Sequence, residues 1–332
     1  MKTAIIGISG PVLLAEEIAL FRASPPLGVI LFARNVVDPD QLKALTARLR
    51  EVLPGDSMIM VDQEGGRVAR LKEPAFLEHP PCALIGRLAA RDRTAGIRAA
   101  WLQGALIGQQ CVVNGITLVA APVLDRFVPG AHDVIGDRAF SKESMLCARL
   151  GRAMAEGLLA AGAVPIGKHV PGHGRAGVDS HHHLPELEDL EEADLVPFIA
   201  NAWLPWMMTA HIRFKARDAQ NPVTLSKVMI SEIIRGEIGF SGVLVSDDLG
   251  MQALSGALAW RADRAIAAGC DVALHCSGVL DESRAVLDAV PRMDGALSGK
   301  LARAQAMARH AKIDLDVAAL AQERARILAD FV

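Results

Sequence analysis

From Lys168 to Pro185 the chain reads Lys-His-Val-Pro-Gly-His-Gly-Arg-Ala-Gly-Val-Asp-Ser-His-His-His-Leu-Pro. An apolar run, Ala163 to Ile166, precedes it and predicts a buried strand. Gly172, Gly174 and Gly177 make the stretch too flexible for a helix or a strand, and free to swing. A long irregular loop dense in titratable groups is usually functional. His182 and His183 alone read as solvated surface histidines; Lys168, His169, Asp179 and His181 together do not. Other charged groups follow other apolar runs: Asp62 with Arg70, then Arg138, His211, Asp247 with Asp248, and His275. A carboxylate nucleophile with a proton donor suits glycosidic bond cleavage. The same residue types could hold a metal for hydrolysis. Against that, the chain has no His-Glu-x-x-His motif and no strand carries a His-x-His pair. His169 and His173 are four apart, but Pro171 and Gly172 between them forbid an aligning helix. The expectation is therefore no metal and no cofactor.

The elements that position these groups alternate. Strands are predicted at Ala4–Ile8, Gly28–Ala33, Ser57–Val61, Ile116–Val119, Ala163–Ile166, Trp206–Ala210, Gly242–Ser246 and Asp271–Leu274. Helices are predicted between them, among them Ala95–Val113, Lys142–Ala161, Glu186–Trp203, Lys227–Ile238 and Trp260–Ala268. Asp38-Pro39-Asp40-Gln41 opens a helix, with Asp38 as N-cap and Gln41 able to close a capping box. Continuous apolar strands bounded by helices indicate a parallel sheet covered on both faces. Eight of them fit a closed (β/α)8 TIM-type barrel. The rival is an open doubly wound sheet, and no Gly-x-Gly-x-x-Gly fingerprint supports it. Active groups of such a barrel come from the C-terminal ends of several strands, which is where six successive strands place theirs. No linker or repeat is evident. Residues 1–332 are expected to form a single catalytic domain, with two Ala- and Arg-rich C-terminal helices covering the barrel.

The chain is 51% hydrophobic and 22% charged, with a formal net charge of -3. It can bury a large core, and it lacks the basic runs that a nucleic-acid partner would require. Five scattered cysteines without a Cys-x-x-Cys pair suggest reduced thiols and a cytoplasmic protein. Gly7, Gly10 and Pro11 interrupt the apolar N-terminus, which reads as a strand rather than a signal peptide. No apolar run is long enough to span a membrane. Aromatic residues are only 4%, with no Tyr, so stacking platforms for a sugar are scarce; Trp203, Trp206 and Trp260 read as packing residues.

Lys168-His169-x-Pro171-Gly172-His173-Gly174 followed by Asp179-Ser180-His181 resembles the signature of family 3 glycoside hydrolases of the β-N-acetylhexosaminidase branch. Asp62-Gln63-Glu64-Gly65-Gly66-Arg67, Ala121-Pro122-Val123-Leu124-Asp125, Gly136-Asp137-Arg138 and Ser246-Asp247-Asp248-Leu249-x-Met251 agree with it in order. The resemblance implies a cytoplasmic retaining exo-β-N-acetylglucosaminidase that removes N-acetylglucosamine from 1,6-anhydro-N-acetylmuramoyl peptides during cell-wall recycling. It implies Asp247 as nucleophile, His181 as acid/base and Asp179 as its partner. Asp62, Arg70, Arg138, Lys168 and His169 then hold the sugar, and Asp248 is structural. Gly250 departs from the pattern, where a Ser is common.

Elementary chemistry is compatible with those roles. A free imidazole titrates near about 6.5, and a neighbouring carboxylate favours its charged form. The alternatives left open are a β-N-acetylglucosaminide phosphorylase on the same scaffold and a metal-dependent hydrolase. Both displacements of a retaining mechanism use side chains alone. Prolonged treatment with a strong chelator is therefore expected to leave the hydrolytic rate unchanged. Activity lost to the chelator and restored by zinc or manganese would reinstate the metal-dependent reading.

Overall fold

The structure, a computed structural model, describes residues 1–329. Residues 330–332 of the expected domain lie outside the described residues. Eight parallel strands close a barrel: β1 (Lys2–Gly7), β2 (Pro26–Leu31), β3 (Met58–Val61), β4 (Leu118–Val119), β5 (Val164–Val170), β6 (Trp206–Thr209), β7 (Val243–Asp248) and β8 (Val272–His275). Each pairs with its sequence neighbours, and β1 closes onto β8 through Ala4 opposite Ala273, Ile5 opposite Leu274 and Ile6 opposite His275. The expected (β/α)8 barrel is the observed one.

Strand alternation sorts the core into two layers. Ile5, Ile30, Met58, Met60, Ile166, Trp206, Val245 and Leu274 fill the barrel interior. Their neighbours Ile6, Val29, Ile59, Val61, Met207 and Leu244 face the surrounding helices. Leu297, Leu301, Ala304 and Ala308 of the helix Gly295–Ala311 join the interior cluster, so that helix closes one end of the barrel. The helix Val317–Leu328 packs on the helix Arg93–Val112, where Glu323 takes Arg98 in a two-pronged ion pair at 2.8 and 2.7 Å.

Several boundaries differ from expectation, each for a local reason. β5 runs on through Lys168, His169 and Val170, because Lys168 N–H donates to Pro122 O and Leu124 N–H to Lys168 O, which extends the ladder past the apolar run. Glu186–Leu187 is not helical; it pairs with Arg213–Phe214 in a two-stranded ribbon, and the helix begins at Glu192. A helix at Cys82–Arg91 was not predicted, and a third helix, Leu280–Ala289, precedes the two C-terminal ones. The helix before β7 is wound in wide i→i+5 turns over Met229–Glu237. Asp38 caps its helix as expected, accepting Gln41 N–H at 2.8 Å. Gln41 reaches Val37 N–H instead of closing the box on Asp38. Trp206 is buried in the barrel, whereas Trp260 is 46% exposed and is not a core residue.

Two helices that back β4 and β5, Arg93–Val112 and Ser144–Ala160, touch backbone to backbone. A Cβ on Gly157 would stand 2.1 Å from Trp101 O, and one on Gly104 would stand 2.0 Å from Met154 O. A carbonyl cannot step aside as a side chain can, so the helices would have to separate. Gly157→Ala is expected to cost about 1–3 kcal/mol, the usual range for overpacking. Its urea midpoint should fall with the m-value unchanged; an unchanged midpoint would show that the helices can part freely.

Candidate active site

The polar strand ends meet around one cavity of about 240 Å³. Asp62, Arg70, Arg138, Lys168, His169, His181 and Asp247 all line it. Asp179 does not; it reaches the cavity only through His181. Two irregularities make this crowding possible. In a regular strand successive side chains point to opposite faces. Between β5 and β6 the register slips, Lys168 facing Met208 but Val170 facing Thr209. Between β7 and β8 it slips again, Val245 facing Val272 but Asp248 facing Leu274. Each slip places an extra residue in the strand that carries the polar pair, as a bulge does. Lys168 with His169, and Asp247 with Asp248, thereby all reach the cavity.

One wall is a buried ion network. Lys168 Nζ lies 2.9 Å from Asp62 Oδ1 and 2.6 Å from Glu64 Oε1. Arg138 grips Glu64 with two bonds of 2.9 Å, and Arg70 Nη2 lies 3.2 Å from Asp62 Oδ2. Lys168 and Glu64 are almost wholly buried. Burial alone would raise both carboxylates. Lys168 and Arg70 outweigh it at Asp62, which is held far below the usual carboxylate range. Arg138 and Lys168 do the same at Glu64, which is pulled down to about 2. Burial would lower the Lys168 ammonium, but Asp62 and Glu64 raise it, so it stays charged.

Beside this wall Asp125, also buried, organises the start of the loop after β5. Its Oδ2 accepts His169 N–H at 3.1 Å and His169 Nδ1 at 2.6 Å, and its Oδ1 accepts His173 N–H at 2.7 Å. His169 therefore presents Nε2 toward Arg138 Nη2, 3.4 Å away. His173 is buried; burial pushes its pKa down to about 4, so it is a neutral ring, and Nε2 lies 3.1 Å from Ser180 Oγ. The loop is not free from Val170 to His183 as its glycines suggested. Val170 belongs to β5, and Pro171 to Gly174 are buried. Arg175 is fastened to Asp194 at 2.6 Å, alongside Arg126 at 2.7 Å. Only the part from Gly177 to His183 is largely exposed, and Ser180 within it is pinned on His173.

At the loop tip His181 Nδ1 lies 2.8 Å from Asp179 Oδ1, which also accepts His181 N–H at 2.9 Å. The His181 side chain is 61% exposed, with Nε2 free at the cavity. At the end of β7 Asp247 Oδ1 accepts Asp248 N–H at 2.8 Å. Burial would raise its pKa, but His211, His169 and Lys168 lower it, so it is a carboxylate. Asp248 is tied differently: its Oδ1 accepts Gly250 N–H at 2.9 Å and Cys276 N–H at 3.1 Å. His211 and His275 are both buried and neither lines the cavity. Among the described residues no group of three or more His, Cys, Asp or Glu side chains is arranged to hold a metal ion. Among the same residues no helix is long and apolar enough to cross a membrane.

Residues 22–314 match the family model described as the glycosyl hydrolase family 3 N terminal domain. The chain belongs to glycosyl hydrolase family 3. A β-hexosaminidase of Bordetella parapertussis is 39% identical over 284 residues, which are 82% of this chain and 79% of that protein. One of Alkalilimnicola ehrlichii is 40% identical over 281 residues, 82% of this chain and 80% of that protein. Among solved structures, NagZ from Neisseria gonorrhoeae in complex with N-trifluoroacetyl-D-glucosamine superposes with a TM-score of 0.86 at 31% identity. The match covers 99% of this chain and 97% of that one. This family 3 member is accordingly a glycoside hydrolase of the β-N-acetylglucosaminidase type.

Three parts of the site escaped the sequence reading: Glu64, Asp125 and the His173–Ser180 pair. Glu64 and Asp125 stand in segments already singled out, and the strand-end rule that chose Asp62 would have chosen them too. Phe32 is a further one; it lines the cavity with Arg70 and Arg34 over its ring at 5.0 and 4.9 Å. Nothing in its local sequence marked it.

Removing one member of a buried ion network strands its partners. Glu64→Ala is expected to lose about 3–5 kcal/mol of stability. Because Glu64 is depressed from its ordinary range to about 2 in the folded protein, its contribution is fully present above that ordinary range and is lost as pH falls toward 2. Glu64→Gln should therefore flatten the acid limb of the stability curve. Denaturant titrations of wild type and variant between pH 6 and 3 measure this, and parallel curves would contradict the network's role.

Proposed function

We propose that this barrel, as a single catalytic domain, removes one N-acetylglucosamine at a time from 1,6-anhydro-N-acetylmuramoyl peptides in the cytoplasm, with retention of configuration. Asp247 is the nucleophile and His181, oriented by Asp179, the acid/base. Asp62, Arg70, Arg138, Lys168 and His169 hold the sugar. The observation that carries the reading is the contrast between the two adjacent acids. Both line the cavity, but Asp248 is engaged by two loop N–H groups, whereas the Asp247 carboxylate is bound only by its neighbour's N–H. A cavity of about 240 Å³ is smaller than the roughly 300–1,000 Å³ typical of drug-sized ligands, and suits one sugar ring.

In the first displacement Asp247 attacks the anomeric carbon as the glycosidic C–O bond breaks. The departing oxygen takes the proton from His181 Nε2 while Nδ1–H stays on Asp179. In the second, His181 Nε2 accepts a proton from water, whose oxygen attacks the same carbon and frees Asp247. Two inversions give retention. The fixed wall of Asp62, Lys168 and Arg138 supports the holding role, since donors and acceptors already oriented need no rearrangement as the ring distorts.

Three experiments test this. A 5-fluoro N-acetylglucosaminyl probe should label Asp247; a label on Asp248 would overturn the assignment. His181→Ala should slow hydrolysis of a poor leaving group by about 10²–10⁴-fold and an activated phenol far less. Asp179→Ala should show the same pattern more weakly. Equal losses on both substrates would make His181 a binding or structural residue. Product analysis with an N-acetylglucosaminyl anhydromuropeptide, with and without phosphate, tests the substrate and the reaction together; sugar 1-phosphate would mark a phosphorylase.

A further inference from the structure

Behind Asp247 lies a polar cluster that the steps above do not use. Thr209 ends β6, His211 follows it, and Thr224 sits in the short turn Val223–Leu225; all three are completely buried and none lines the cavity. Buried polar groups require partners, and here they form a chain. Asp247 N–H points at Thr209 Oγ1, 3.4 Å away. Thr209 Oγ1 is 2.8 Å from Thr224 Oγ1, which is 2.7 Å from His211 Nδ1. His211 Nε2 is 2.9 Å from the Asp248 carbonyl oxygen.

The proton directions can be assigned. A carbonyl only accepts, so His211 Nε2 carries a proton. Burial pushes the ring's pKa down, against Asp247 and Asp248 and with His169, so the ring is neutral and Nδ1 accepts. Thr224 then donates to His211 Nδ1; its other acceptor, Ala210 O, is farther at 3.2 Å. Thr209 donates to Thr224 and receives Asp247 N–H. Each hydroxyl proton is used once, and the chain begins and ends on the backbone that flanks Asp247.

We propose that His211 is a positioning residue for Asp247: with Thr224 and Thr209 it clamps the bulged end of β7. The proposal rests on Asp247 being the nucleophile. The bulge gives the clamp its purpose. Between Val245 and Asp248 the register with β8 is broken, so the ladder alone does not hold this backbone. Asp247 Oδ1 is tied to the next N–H, at 2.8 Å, so the backbone's orientation sets where the carboxylate points.

The test uses the full chain and compares His211→Ala, His211→Asn and His211→Gln, with Thr224→Val and Thr224→Ser as a second set should His211→Ala fail to fold. The readouts are kcat and KM on a chromogenic β-N-acetylglucosaminide, the dissociation constant of N-acetylglucosamine, and the rate of trapping by the 5-fluoro probe. His211→Ala should lower kcat and the trapping rate by about 10²-fold, the scale of a 1 Å misplacement. Affinity for N-acetylglucosamine should stay within a factor of two, roughly the noise of additive distant sites. Gln, whose amide N–H reaches the Asp248 carbonyl, should recover most of the rate; Asn, whose amide ends at the Nδ1 position, should not. Thr224→Val should repeat the loss and Thr224→Ser should be spared. Equal losses in rate and affinity, or Gln no better than Ala, would overturn the proposal. Wild-type trapping on Asp247 with unchanged rates in His211→Ala and Thr224→Val would overturn it alone. A wild-type label on any other residue would remove the nucleophile reading itself.

Discussion

The charge network of Asp62, Glu64, Lys168 and Arg138 is the constraint on which the rest of the site depends. Taking these groups out of water is expensive, and only mutual pairing offsets the cost. Every member has a partner within 2.9 Å. The pairing joins the end of β3 to the end of β5 and to the loop that carries Arg138, so three distant stretches of chain can fold only as one arrangement. Lys168 cannot withdraw from the barrel mouth without leaving Asp62 to Arg70 alone and Glu64 to Arg138 alone. A second tier supports the first: Gln103 Nε2 donates to Glu64 O and Pro80 O, from the helix that packs against Gly157. The close helix contact and the polar site are therefore parts of one mechanical unit.

Against that fixed wall stands an exposed tip. The charged groups of that wall are buried and paired; His181, to which the proposed mechanism gives the proton transfers, is open to solvent. A buried His in the same loop, His173, is driven to the neutral state and serves as an anchor for Ser180. Two histidines eight residues apart thus have different chemistry because their surroundings differ. Arg175 divides the loop between them, its ion pair with Asp194 holding the first half to the helix Glu192–Ala200.

Much of this was legible in the sequence. The alternation of apolar runs with helical patterns determined the barrel, because a parallel strand must be apolar on both faces and needs a crossover element before the next. Polar residues directly after those runs determined which groups would gather, because one end of the barrel collects all eight strand ends. Asp62, Arg138, Lys168, His169 and Asp247 were placed this way, and the glycine-spaced loop identified Asp179 and His181.

Tertiary structure decided what depends on partners distant in sequence. Glu64 and Asp125 looked like ordinary loop acids until Arg138, Lys168 and His169 were brought to them from 74, 104 and 44 residues away. Bulges are invisible to a periodicity argument, since an extra residue is defined only against the strand it opposes. The division of the loop into an anchored half and an exposed tip came from Asp194 and Asp125, neither of which lies within it. Two neighbouring aspartates are alike in sequence. What distinguishes them is which backbone N–H groups the fold delivers to Asp248, from Gly250 and Cys276, and which it leaves for Asp247.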